Sequence, residues 1–280
     1  MQHLYKKENP ILQVTNMERV LIDIQDKVAV VTFNRPEKMN ALDPDQFHAI
    51  IDAGRQVSNN PAVRAVVIKG EGKAFCAGID ISGFQTNGQV TNGSIVDRTH
   101  GIANMWQAAP WVWRECQVPV IAAVHGVAYG GGLQIMMGAD IRYVAPDTRL
   151  SIMEMKWGLI PDMAGPVLMR HNVREDIIRE LTYSNRVFSG KEAVEYGFAT
   201  HVSEDPFKDA LTLAQEIAEK SPTAIVKAKK MFNEIPYLSQ EEGLLLESKE
   251  QDAVIYKKNQ MEAVFSSIQK RAGNFEDYRD

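Results

Sequence analysis

Four short runs rich in β-branched residues constrain this chain most: Val20 to Ile24, Val28 to Phe33, Arg64 to Lys69 and Pro119 to Val124. The last two are short, valine-rich and apolar at their centres, the pattern of strands covered on both faces. The first two flank the polar turn Gln25-Asp26-Lys27 and read as a β-hairpin. Helical patterns lie between the runs. Asp43 before Pro44 makes an N-cap with proline in the first turn, and Phe47, Ile50, Ile51 and Val57 follow at helical spacing. Thr99 to Cys116, with Ile102, Met105, Trp106, Ala109 and Trp113 three and four apart, predicts the crossover helix that parallel strands require, with Pro110 as a point of bending. Alternation of this kind predicts an α/β fold.

Ile141 to Val144 reads as one more strand, and Arg174 to Thr182 and Lys191 to Tyr196 as helices, the second stopped by Gly197. From residue 206 the strand signals cease. Pro206 to Lys220, Pro222 to Asn233, Gln240 to Tyr256 and Gln260 to Ala272 are charged helical patterns, so the chain divides into a core over 17–205 and a C-terminal helical region over 206–280. A length of 280 residues at 45% hydrophobic content suffices for one large domain with such an appendage. Gln85 to Gly93, rich in Asn, Gly and Thr, reads as a loop.

A net charge of -5 argues against nucleic acid or an anionic membrane as partner, because both need a basic field. An anionic ligand must then be gripped locally. The segment from Met1 to Asn9 is polar, no stretch approaches the length of a membrane span, and Cys76 and Cys116 lack the spacing of a disulfide or metal framework. These features predict a cytoplasmic protein with two free thiols.

The chemistry concentrates in two glycine-bearing loops, each leaving a predicted strand. The first is Ala74-Phe75-Cys76-Ala77-Gly78-Ile79-Asp80; the second is His125-Gly126-Val127-Ala128-Tyr129-Gly130-Gly131-Gly132-Leu133-Gln134. Three glycines before a helical run let the backbone approach a ligand and aim unpaired N–H groups at a negative oxygen. A tight turn or close helix packing would use glycine in the same way. The nucleotide-binding alternative lacks the Lys-Ser/Thr pair and the spaced glycines of the dinucleotide fingerprint.

From Asn34-Arg35-Pro36 to Gly197 the order and spacing of these motifs resemble the crotonase superfamily, the enoyl-CoA hydratases and isomerases. The resemblance implies a ββα spiral core of stacked sheets with C-terminal helices, assembled as a homotrimer or homohexamer. It implies an acyl-CoA thioester substrate, CoA being part of the substrate and no separate cofactor or metal being needed. By position, the main-chain N–H groups of Ile79 and Gly131 become an oxyanion hole, and Lys38, Met39, Ala41, Ala77 and Asp80 surround the CoA. Lys38 can equally be an ordinary surface lysine.

The same resemblance assigns catalysis unevenly. Hydratases of the family carry one glutamate two residues after the triple glycine, where this chain has Gln134, and a second that matches Glu154. An amide cannot exchange protons near neutrality, whereas a carboxylate among Leu150, Ile152, Met153 and Met155 would have a raised pKa. Asp162, eight residues beyond Glu154, is placed as in the dienoyl-CoA isomerase subgroup, or caps a helix after Pro161. The expectation is therefore an enolate-stabilising enzyme that moves a proton with Glu154, favouring double-bond isomerisation. Enoyl-CoA hydration and non-catalytic acyl-CoA binding are the alternatives. His125 reads as packed or hydrogen-bonded, and Trp106, Trp111 and Trp113 as core.

Overall fold

The computed structural model describes residues 19–82 and 94–278. The loop expected over Gln85 to Gly93 lies outside the described residues.

The four constraining runs become strands: β1 (Val20–Gln25), β2 (Val28–Phe33), β3 (Ala65–Gly70) and β4 (Val120–Val124). They lie side by side with β6 (Ile141–Val144) and β9 (His201–Val202) in one six-stranded sheet, in the order β1-β2-β3-β4-β6-β9. β1 and β2 form the antiparallel hairpin, and every later pairing in this sheet is parallel. A smaller sheet orders β5 (Val127–Tyr129), β7 (Arg149–Ser151) and β8 (Phe188–Ser189) as β5-β7-β8.

Strand periodicity divides the interior in two. Val31, Phe33, Val66, Ile68, Val120, Ala122 and Val124 face a large core filled by α1 (Pro44–Asn59) and α2 (Met105–Glu115). Their neighbours Ala65, Val67, Ile121 and Ala123 face the other way, onto Ala210, Ala214 and Ala218 of the helix Pro206–Ala218. Those alanines, four residues apart, form a small-residue stripe that lets the helix lie close to the sheet, so residues 206–218 share a core with it.

The crossover helix begins six residues later than its periodicity suggested. Asn104 accepts from Gln107 N while the Gln107 side chain bonds back to Asn104 N, a capping box that fixes the start at Met105. Trp106 and Trp113 of α2 are buried in the core, and Trp111 donates to Glu115. Two of the C-terminal helices are also displaced, observed at Gln240–Asp252 and Lys258–Ile268. The end of the chain folds back: buried Arg64 donates to the Phe275 carbonyl at 2.8 Å and pairs with Asp277 at 2.9 Å.

Candidate active site

The small sheet brings the two glycine loops into register. Phe75 N donates to the His125 carbonyl, Cys76 N to Val127, and Tyr129 N back to Cys76, all at 3.0 to 3.1 Å. His125 is itself bonded to the Gly72 carbonyl at 2.9 Å, as expected of a structural histidine. Gly78 adopts φ +86, and a Cβ there would stand 2.6 Å from the Tyr129 carbonyl. A Cβ on Gly132 would collide with the Cys76 carbonyl. The loops are packed main chain against main chain.

This packing positions two unpaired donors. Leu42 N donates to the Gly78 carbonyl and Asp80 N to the Leu42 carbonyl, a parallel bridge that straddles Ile79 and turns its N–H to the opposite side. Gly131 is the first residue of the helix α3 (Gly131–Met137), where an N–H has no intrahelical acceptor. Among the described residues neither N–H has a protein acceptor. Ile79 and Gly131 line one cleft of about 440 Å³, together with Lys38, Met39, Ala41, Ala77, Asp80 and Glu154.

Residues that sequence reasoning passed over build and finish this cleft. Asn40, fully buried at φ +55, accepts from Arg35 N and donates to the carbonyls of Glu71 and Ala74. Arg35 bonds the Ala41 carbonyl at 2.9 Å and pairs with Asp80 at 2.9 Å. Asp80 lines the cleft, but its carboxylate is engaged by Ser82 and Arg35, which hold it below the usual carboxylate range. Tyr129, Met153, Lys156, Trp157 and Leu159 complete the wall.

Glu154 opens the 3-10 turn Glu154–Trp157 just after β7, which pairs with β5 and so delivers it beside the triple glycine. It is buried, with 7% exposure. Gln134 donates to its Oε1 at 2.5 Å, while Oε2 has no partner. Burial pushes the Glu154 carboxyl above its ordinary value, and the charge of Asp162 pushes the same way. Asp162 is half-buried and also raised by burial. It caps nothing: the following helix, α4 (Gly165–Met169), starts from Ala164 without a side-chain cap. Neither Asp162 nor Gln134 lines the cleft; Gln134 meets it through Glu154, and the charge of Asp162 acts on Glu154. Cys76, its thiol pushed up to about 12 by burial, is no nucleophile. Among the described residues no cluster of His, Cys, Asp or Glu could hold a metal ion, and no helix is long and apolar enough to cross a membrane.

Spiral sheets, two interlocked glycine loops and a buried carboxylate beside paired main-chain donors define a class, the crotonase fold. Over residues 23–278 the chain matches the family model described as enoyl-CoA hydratase/isomerase. It belongs to that family. It is 29% identical over 267 residues to the peroxisomal Delta(3,5)-Delta(2,4)-dienoyl-CoA isomerase of Arabidopsis thaliana, covering 92% of this chain and 96% of the relative. It is 28% identical over 258 residues to the enoyl-CoA hydratase EchA19 of Mycobacterium tuberculosis, covering 91% and 96%. The crystal structure of an enoyl-CoA hydratase from Bacillus anthracis superposes with a TM-score of 0.85 over 93% of this chain and all of the other, at 24% identity, a likeness of fold.

Proposed function

We propose that this protein binds an acyl-CoA thioester with its carbonyl oxygen between the N–H groups of Ile79 and Gly131, and that Glu154 shifts a double bond along the acyl chain. The observation that carries this reading is the Glu154 carboxylate: buried at the cleft, with one oxygen anchored and the other unpartnered. In the proposed cycle Oε2 takes a proton from an acyl carbon, so a C–H bond breaks and an O–H bond forms. The electron pair moves through the conjugated system onto the thioester oxygen. That O–H then breaks as a new C–H forms at the other end of the allylic unit, and no water or electrons are consumed. Two fixed donors stabilise the anion most where its charge is greatest, each contributing about 3 kcal/mol.

Isomerisation is favoured because Glu154 brings a carboxylate with an unpartnered oxygen to the cleft wall, whereas Asp80 is engaged by Arg35 and Ser82 and Gln134 offers no second carboxylate. One observation favours hydration: the charge of Asp162 reaches Glu154, so a second carboxylate is near enough to take part. Assays on 3-enoyl-CoA, 3,5-dienoyl-CoA and 2-enoyl-CoA separate the readings. Robust hydration without any double-bond shift would overturn the preference.

A homotrimer or homohexamer belongs to the same proposal. Phe232, Leu244, Leu245, Phe265 and Ile268 expose apolar surface on the C-terminal helices, and light scattering that returned a monomer would contradict it.

A further inference from the structure

Gln134 holds an unusual number of fixed partners. Its Oε1 accepts from two main-chain donors, Met163 N and Gly165 N, each at 2.9 Å. The residue is buried, with 1% exposure, on the first turn of α3, and Gln134 N is itself bonded to the Gly130 carbonyl. A Cβ on Gly165 would stand 2.5 Å from Gln134 Oε1, so the glycine admits the carbonyl end of the amide. Because two N–H groups can only face an oxygen, the orientation of the amide is decided by its surroundings. Its NH₂ end must point the other way, and there it meets Glu154 Oε1.

We infer that Gln134 is a positioning residue: clamped by the amides of Met163 and Gly165, it locks the Glu154 carboxylate through Oε1 and leaves Oε2 as the atom that carries the proton. This rests on Glu154 being the proton carrier proposed above. The physical consequence is a division of labour within one carboxylate. Oε1 is held by a donor that never titrates, so the negative charge has a preorganised side-chain partner and the rotamer is fixed before substrate arrives. A glutamate at 134 would satisfy the same two amides but turn a second negative oxygen on Glu154, and the two carboxyls would have to share a proton. The amide adds no titrating group in direct contact with Glu154.

The main-chain N–H groups of Glu154 and Met153 also favour the charged carboxylate, but no other side chain duplicates the Gln134 bond. Glu37, Lys38, Asp80 and Tyr129 stand elsewhere on the cleft wall, Asp80 being paired with Arg35, and Lys156 shares the 3-10 turn. Asp162 acts from the loop beyond. On the helix Glu175–Ser184, which packs against the turn, Glu175, Asp176, Arg179, Glu180 and Tyr183 are exposed.

The test is a pH titration of the carboxyl stretch by infrared difference spectroscopy on the substrate-free protein, with Glu154→Gln identifying the Glu154 band. Gln134→Met removes the donor, and Gln134→Glu keeps the shape and the two clamping amides but removes the donor. In Gln134→Met the Glu154 band should titrate about one pH unit higher, because a bond to the charged form has been lost. In Gln134→Glu the carboxyls should titrate as a pair in two separated steps, one above the wild-type value. The acid limb of kcat should move up with the band in both, with kcat falling more than KM changes. A residue that merely filled space would leave the band in place. An unmoved Glu154 band in folded Gln134→Glu overturns the inference, whether or not Gln134→Met folds. Turnover of no thioester at all would sink the proposed function and leave the infrared result readable.

Discussion

Arg35 Nη2 lies 2.9 Å from Asp80 Oδ2, immediately beside the Ile79 peptide and between the segment 38–41 and the first glycine loop. The pair is largely shielded, each side chain being 12% exposed, and Arg35 also approaches Asp43 at 3.3 Å. It holds one wall of the cleft to the other. Arg35→Met should lower stability by about 2 kcal/mol, because it strands a shielded carboxylate and a main-chain carbonyl. Denaturant unfolding measures this. If the pair also fixes the Ile79 N–H, kcat/KM should fall by about 10-fold or more. Asp80 is held below its ordinary value, so its contribution to stability is complete above the unfolded carboxylate range and lost as pH falls through the folded value. In Arg35→Met that acid-side loss should begin at a higher pH.

Glu154 presents the opposite sign. Its folded-state pKa is raised, so the native protein binds more protons than the unfolded chain in the window above the ordinary glutamate value of 4.5. Its contribution to stability is therefore present below that value and lost as pH rises through the folded value. Glu154→Gln removes the charge that costs stability at neutral pH. The variant should melt no lower than the wild type at pH 7, and lose activity by about 1000-fold. Calorimetry beside a turnover assay checks both. A large drop in melting temperature would mark Glu154 as a structural residue instead.

Gly132 makes the close approach between the two loops, with the Cys76 carbonyl where a side chain would be. Gly132→Ala should cost about 1–3 kcal/mol by forcing the loops apart. The same displacement moves the Gly131 N–H, so activity should fall even at temperatures where the variant remains folded. An active, fully stable Gly132→Ala would show that the loops need not be this close.

Much of this was legible because it is local. Valine-rich runs and the Asp43-Pro44 cap carry their signals within a few residues, and the triple glycine announces a close backbone approach without any partner being known. The strands β5, β7 and β8 escaped, since two or three residues show no period. The start of α2 was misplaced because Ile102 fits the helical stripe, whereas the Asn104 and Gln107 capping box overrides it. Gln134 could be seen to lack a proton, but its clamp comes from main chain 29 and 31 residues away. Arg35 and Asn40 work through contacts of the same long range. Asp162 read either as an isomerase-like partner of Glu154 or as a helix cap beside Pro161, and only the fold shows that the next helix starts from Ala164 without it.

In the proposed reaction Glu154 moves a proton on an acyl thioester whose anion rests between Ile79 and Gly131. Incubation with a 3-enoyl-CoA deuterated at its α carbon, followed by NMR at the acyl carbons, tests it most directly. The wild type should carry label from the α to the γ carbon as the double bond moves, and Glu154→Gln should do so about 1000-fold more slowly while still binding the thioester. Undiminished transfer by Glu154→Gln, or no double-bond shift by the wild type, would contradict it.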